Sequence, residues 1–161
     1  MKAAIRSLVV AAGMAASLAW AAGDPGGSTP GGPMSSAPAD PVLERYGEAS
    51  SRKDWARAAE VAREGLARDS SNAGYHNLYA YAVRNGAKPD MDLVFRHYNE
   101  ALRLDPKHRG AHEYLGEAYL MVGNLAKAKE HLDVLDGLCT FGCEEYSMLK
   151  KAVAQHEATK K

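Results

Sequence analysis

The sequence predicts an all-α fold, an α-solenoid of about three helical hairpins closed by one further helix at the C-terminal end. Three observations predict it. Beyond Pro41 apolar residues recur at helical spacing, as in Trp55, Ala58, Ala59, Ala62 and Leu66, without strand-like alternation. Clusters of turn-forming residues at Ser70-Ser71-Asn72, Gly86 to Asp90, Pro106, Gly123-Asn124 and Thr140-Phe141-Gly142 cut the chain into helices of about 11–15 residues. Finally, 161 residues with 46% apolar content and only two cysteines suit one domain with an ordinary core, not a disordered chain or a disulfide-dense miniprotein.

The first residues stand apart from that fold. Lys2 and Arg6 form a positive start, Ser7 to Trp20 is an uncharged Ala-rich stretch, and Ala19-Trp20-Ala21 places small residues where a signal peptidase reads them. Residues 1–21 are therefore expected to be a cleaved secretory signal of bacterial type, giving a periplasmic or secreted protein. The stretch is short for a membrane span and no cationic stop follows it, so no stable membrane insertion is expected after cleavage. Residues 22–40 (AGDPGGSTPGGPMSSAPAD) read as a Gly/Pro/Ser-rich disordered tether. The folded domain is expected over 41–158.

Its clearest unit is the last, 109–140. Leu115-Gly116, Tyr119, Gly123, Ala128 and Leu132 stand where a tetratricopeptide repeat (TPR) has its L-G, Y, G, A and second-helix aliphatic residues, and this segment resembles that family. Gly116 and Ala128 are expected to be small because the two helices of the hairpin cross there. Gly123 is expected to end the first helix in a left-handed conformation and Asn124 to cap the second. The unit before it, 73–108, closes with Ala101-Leu102-Arg103-Leu104-Asp105-Pro106, similar to the family's closing segment, and carries Tyr79-Ala80, Val83 and Gly86 upstream. Pro106 is expected to stop that hairpin and start the next helix. The 36 residues from Ser70 to Pro106 exceed the usual repeat of about 34, and the two extra are placed in the Ala87–Met91 turn. The first unit, 41–72, departs most, with Tyr46 where a small residue is expected. Three units in phase argue against a plain helical bundle. A capping helix over 143–157 follows, with Tyr146, Leu149 and Val153 on its apolar face and Glu144, Glu145, Lys150 and Lys151 on its polar one.

The resemblance implies a function as well as a fold. In TPR proteins the first helices of successive hairpins line a groove that holds a peptide. Carried onto this chain, the ligand-contacting positions are Asn77, Tyr81, Arg84 and Asn85 in the middle unit and Glu113, Glu117, Leu120 and Met121 in the last. Asn77, Tyr81 and Arg84 lie at i, i+4 and i+7 and present an amide, a phenol and a guanidinium on one face, suited to an extended peptide bearing a carboxylate. The competing reading pairs Arg84 with Glu113 or Glu117 on the adjacent helix.

Other chemistry finds little support. Twenty basic and twenty acidic residues cancel, which argues against nucleic acid as a partner. Motifs of the G-x-x-x-x-G-K-S/T, H-E-x-x-H and G-x-S-x-G kinds are absent. Neither catalysis, a cofactor nor a metal is expected. His108 and His112 could share a metal ion, but His112 falls at a core position and reads as a packed side chain. Cys139 and Cys143 read as a disulfide stapling the last hairpin to the capping helix. The alternative is a small periplasmic thiol-redox or metal-handling protein in which that pair acts. The expected role is a non-enzymatic scaffold for a protein or peptide partner.

Overall fold

The computed structural model describes residues 40–159, so the predicted signal and the tether before Asp40 lie outside the described residues. Seven α-helices follow: α1 Pro41–Ser51, α2 Trp55–Arg68, α3 Ala73–Asn85, α4 Met91–Leu104, α5 Arg109–Met121, α6 Leu125–Leu138 and α7 Glu144–Thr159. Consecutive helices pair as hairpins α1–α2, α3–α4 and α5–α6, and α7 packs on both α5 and α6. The fold is all-α. No helix among the described residues is long and apolar enough to cross a membrane.

Local chemistry explains where the helices start. The side chains of Asp40, Asp54, Asn72, Asp90, His108 and Asn124 each accept an N–H from the first turn that follows, satisfying a donor the helix itself leaves unpaired. Asp40, the last residue of the predicted tether, also receives the Tyr75 hydroxyl at 2.6 Å and so ties α1 to α3. Helix α5 starts at Arg109, after Pro106 rather than on it, with His108 as its cap.

The turns show how a lysine can replace a glycine. Gly123 between α5 and α6 has φ 77°, as expected, and Lys53 between α1 and α2 adopts φ 57°. Both turns close identically: Gly123 N–H donates to Leu120 O and Asn124 N–H to Tyr119 O, while Lys53 N–H donates to Ser50 O and Asp54 N–H to Ala49 O. That correspondence aligns Tyr46 with Gly116 and shows no slip of register in α1. Tyr46 is accommodated because its ring is buried and its hydroxyl donates to the Leu78 carbonyl of α3 at 3.0 Å. Helices α3 and α5 have equal length, and α3–α4 is joined by residues 86–90 where α5–α6 needs only 122–124. The two extra residues of the middle unit therefore sit in that turn.

Three core clusters run along the array. Val42, Tyr46, Val61 and Ala62 centre the first; Val94, Tyr98, Leu115 and Ala118 the second; Ala128, Leu135, Leu149 and Val153 the third. Gly116 corrects one expectation. A Cβ there would come within 2.6 Å of Leu149 Cδ2, so it is the approach of α7, not α6, that requires the glycine. The capping helix is seated through that contact, and its own Leu149 and Val153 are buried.

Candidate functional site

Helices α3, α5 and α7 border a cleft of about 450 Å³ lined by Asn77, Tyr81, His108, Gly110, Glu113, Tyr114, Glu117, Glu144, Glu145 and Met148. Successive first helices bring these side chains together because each hairpin repeats the same packing on its neighbour. Of the residues proposed from sequence, Asn77, Tyr81, Glu113 and Glu117 line it.

Arg84 does not face the cleft as a free cation. It is buried, its Nη2 lies 2.7 Å from Glu117 Oε2, and its guanidinium sits 5.4 Å and 5.6 Å from the ring centres of Tyr81 and Tyr114. The internal pairing is the one the structure adopts, and it uses the charge that a carboxylate ligand would need. The remaining sequence candidates lie elsewhere. Asn85 donates its side-chain amide to Tyr81 O at 2.8 Å, Leu120 packs against the third core cluster, and Met121 is exposed outside the cleft lining. Sequence reasoning missed Glu144, Glu145 and Met148 as cleft residues because it read α7 only as a cap. The available clue was that α7 repeats the helical spacing of α5 and so extends the row of first helices.

Two polar side chains of the lining lack partners among the described residues. Asn77 is 7% exposed and its Oδ1 is buried without a hydrogen bond among the described residues. Glu113 is 6% exposed and has no hydrogen bond or ion pair there. Burial, followed by the Glu117 and Glu145 carboxylates, pushes the Glu113 carboxyl up to about 7. Glu145 pairs loosely with Arg109 at 3.5 Å, and Glu144 is exposed.

An adjoining flank of the same helices carries paired histidines. His76 Nδ1 lies 2.8 Å from His97 Nδ1, and His112 Nδ1 lies 3.0 Å from His131 Nδ1. The Nε2 of His76 reaches Ser70 O and that of His112 reaches Pro106 O, both at 3.0 Å. A carbonyl only accepts, so Nε2 of His76 and His112 carries the proton and Nδ1 accepts from its partner. Both ring nitrogens of His112 are thus engaged, and His108 Nδ1 accepts the Ala111 N–H instead of joining it. Cys139 and Cys143 are bonded to each other, with 5.5 Å between their Cα atoms, and Cys143 Sγ accepts the Tyr146 N–H at the start of α7.

No family model matches the sequence, and no curated protein does. Solved structures do. The TPR2B domain of yeast Sti1, in a complex with an Hsp70 peptide, superposes with a TM-score of 0.65 at 19% identity, covering 73% of this chain and 94% of that one. The fold is that of a tetratricopeptide-repeat domain. The first TPR domain of Spaghetti (RPAP3), bound to the HSP90 peptide SRMEEVD, gives 0.61 at 20% identity over 73% of this chain and 90% of that one. The Yersinia enterocolitica type III secretion chaperone SycD, in complex with a peptide of the translocator YopD, gives 0.62 at 15% identity over 74% and 92%.

Proposed function

We propose that the chain is a non-enzymatic adaptor, exported from a bacterial cell, that holds a segment of a partner polypeptide in the α3–α5–α7 cleft. The observation that carries this reading is the cleft itself, about 450 Å³, lined by Asn77, whose buried Oδ1 has no hydrogen bond, and by Glu113, whose carboxyl has no basic partner among the described residues. Leaving the buried Asn77 acceptor without a partner is unfavourable by about 1–3 kcal/mol, and a bound segment would supply what is missing. The solved TPR structures with bound Hsp70, HSP90 and YopD peptides support a peptide as occupant. Export is supported by the N-terminal residue pattern and by a disulfide, which suits an oxidising compartment.

Photo-crosslinking tests the reading. A photoreactive side chain at Met148, in the cleft, is expected to give discrete protein adducts in the producing cells. The same group at Val134, exposed on α6, is expected to give none. Equal adducts from both positions, or none from Met148, would remove the cleft from the function.

A further inference from the structure

We infer that the cleft selects a basic side chain, a lysine or arginine of the partner segment, and seats it between Glu113 on α5 and Glu144 on α7. This rests on the reading of the cleft as a peptide site and specifies what that site takes.

The charge inventory of the lining points one way. Four carboxylates, Glu113, Glu117, Glu144 and Glu145, face a space whose only other titratable lining groups are His108, Tyr81 and Tyr114. Two of them are already answered within the chain, Glu117 by Arg84 and Glu145 by Arg109. Glu113 and Glu144 have no basic partner among the described residues. Glu113 is the informative one, since as a residue it is 6% exposed and its carboxyl makes no hydrogen bond among the described residues. Asn77, almost equally buried, adds an unpaired acceptor, Oδ1, on the facing helix. One buried acceptor without a donor, Asn77 Oδ1, and two carboxylates without a basic partner among the described residues call for a group that only donates. Lysine offers three N–H donors and arginine five, and neither accepts.

Other occupants fit less well. The end of the peptide SRMEEVD is acidic, and these carboxylates would repel it. Among the described residues no three His, Cys, Asp or Glu are placed to hold one metal ion. An apolar anchor would cover the Glu113 carboxyl without pairing it and leave Asn77 Oδ1 still unpaired.

The bound cation also predicts a pH dependence. Glu117 on the same helix, Glu144 and Glu145 on α7 and Arg84 on α3 surround Glu113 electrostatically, with His108 in the same lining. In the free protein the Glu113 proton leaves near pH 7. A cation binds the ionised form, so affinity is expected to rise from pH 6 to pH 8 and to flatten in Glu113→Gln.

Selection of a displayed random decapeptide library on the intact chain tests the inference. The expected result is enrichment of Lys or Arg at one position. A selected peptide should bind Glu113→Gln about tenfold more weakly, the scale of one charge-assisted hydrogen bond. Glu144→Gln, at an exposed position, should show a smaller loss that vanishes in high salt. Selected peptides rich in acidic or purely apolar residues, or a basic peptide whose affinity ignores both substitutions, would overturn the cation assignment while leaving a peptide cleft in place. Failure to enrich any peptide would overturn the cleft reading as well.

Discussion

Helices α3 and α5 each carry buried polar residues on two flanks, and the flanks differ in whether those residues are satisfied. His76 and His112 have both ring nitrogens engaged, by a second histidine and by the carbonyl of the preceding turn. Their immediate neighbours in sequence, Asn77 and Glu113, face the cleft with acceptors unpaired. The repeat places both pairs of residues equivalently, so geometry alone does not account for the difference. What differs is the neighbour: a turn and a second helix close the histidine flank, whereas the other flank opens on the cleft between α3, α5 and α7. Buried polar groups on the first flank hold the hairpins together. On the second they line the cleft proposed to hold a partner segment.

The largest expected effect comes from removing the cation that balances the cleft. Arg84→Ala leaves Glu117 among the other carboxylates and should cost about 3–5 kcal/mol in chemical denaturation. A loss below 1 kcal/mol would mean that Arg84 is not the internal counter-ion. His112→Ala should come next, at about 2–3 kcal/mol, since it opens a cavity and strands the Pro106 carbonyl and the His131 N–H.

The two flanks should then respond to pH with opposite sign. Burial, followed by the His112 imidazole beside it, holds the His131 imidazole down to about 4. The unfolded chain takes up that proton near pH 6.5, so stability is lost as the pH falls from 6.5 towards 4. The loss attributable to His131 should be about 1–2 kcal/mol after allowance for solvent screening, and His131→Gln should remove it from the thermal melting profile. Glu113 runs the other way. Folded, it keeps its proton up to about 7, whereas unfolded it releases it near 4.5. Its contribution is full below pH 4.5 and is lost as the pH rises towards 7. Glu113→Gln should therefore melt higher than the parent at pH 8, by about 1 kcal/mol once screening is allowed for. The smallest effect should be Asn77→Leu. Removing an unpaired buried acceptor is expected to be neutral or stabilising by up to about 1 kcal/mol, which urea midpoints would report. The same exchange at His76 should destabilise.

Much of the fold was legible in the residues. Gly123 and Asn124 marked a turn because one tolerates positive φ and the other caps, and the structure uses both so. The equivalent turn between α1 and α2 carried no such mark, because Lys53 holds the left-handed conformation that glycine normally supplies. Lys53→Gly should accordingly raise stability by about 1 kcal/mol in the same assay. The candidate site was only half legible. Repeat register located Asn77, Tyr81, Glu113 and Glu117, but it left Arg84 open between binding a ligand and pairing with Glu113 or Glu117, and only the structure chose Glu117.

Helices, caps, turns and apolar faces follow from the sequence itself because each depends on residues within a few positions of one another. Tertiary structure alone decided that Gly116 serves Leu149, that two histidine pairs bridge their hairpins, and that Glu144 of the last helix shares a cleft with Glu113. Those meetings depend on how closely whole helices approach and which way each is rotated, and no local spacing encodes either.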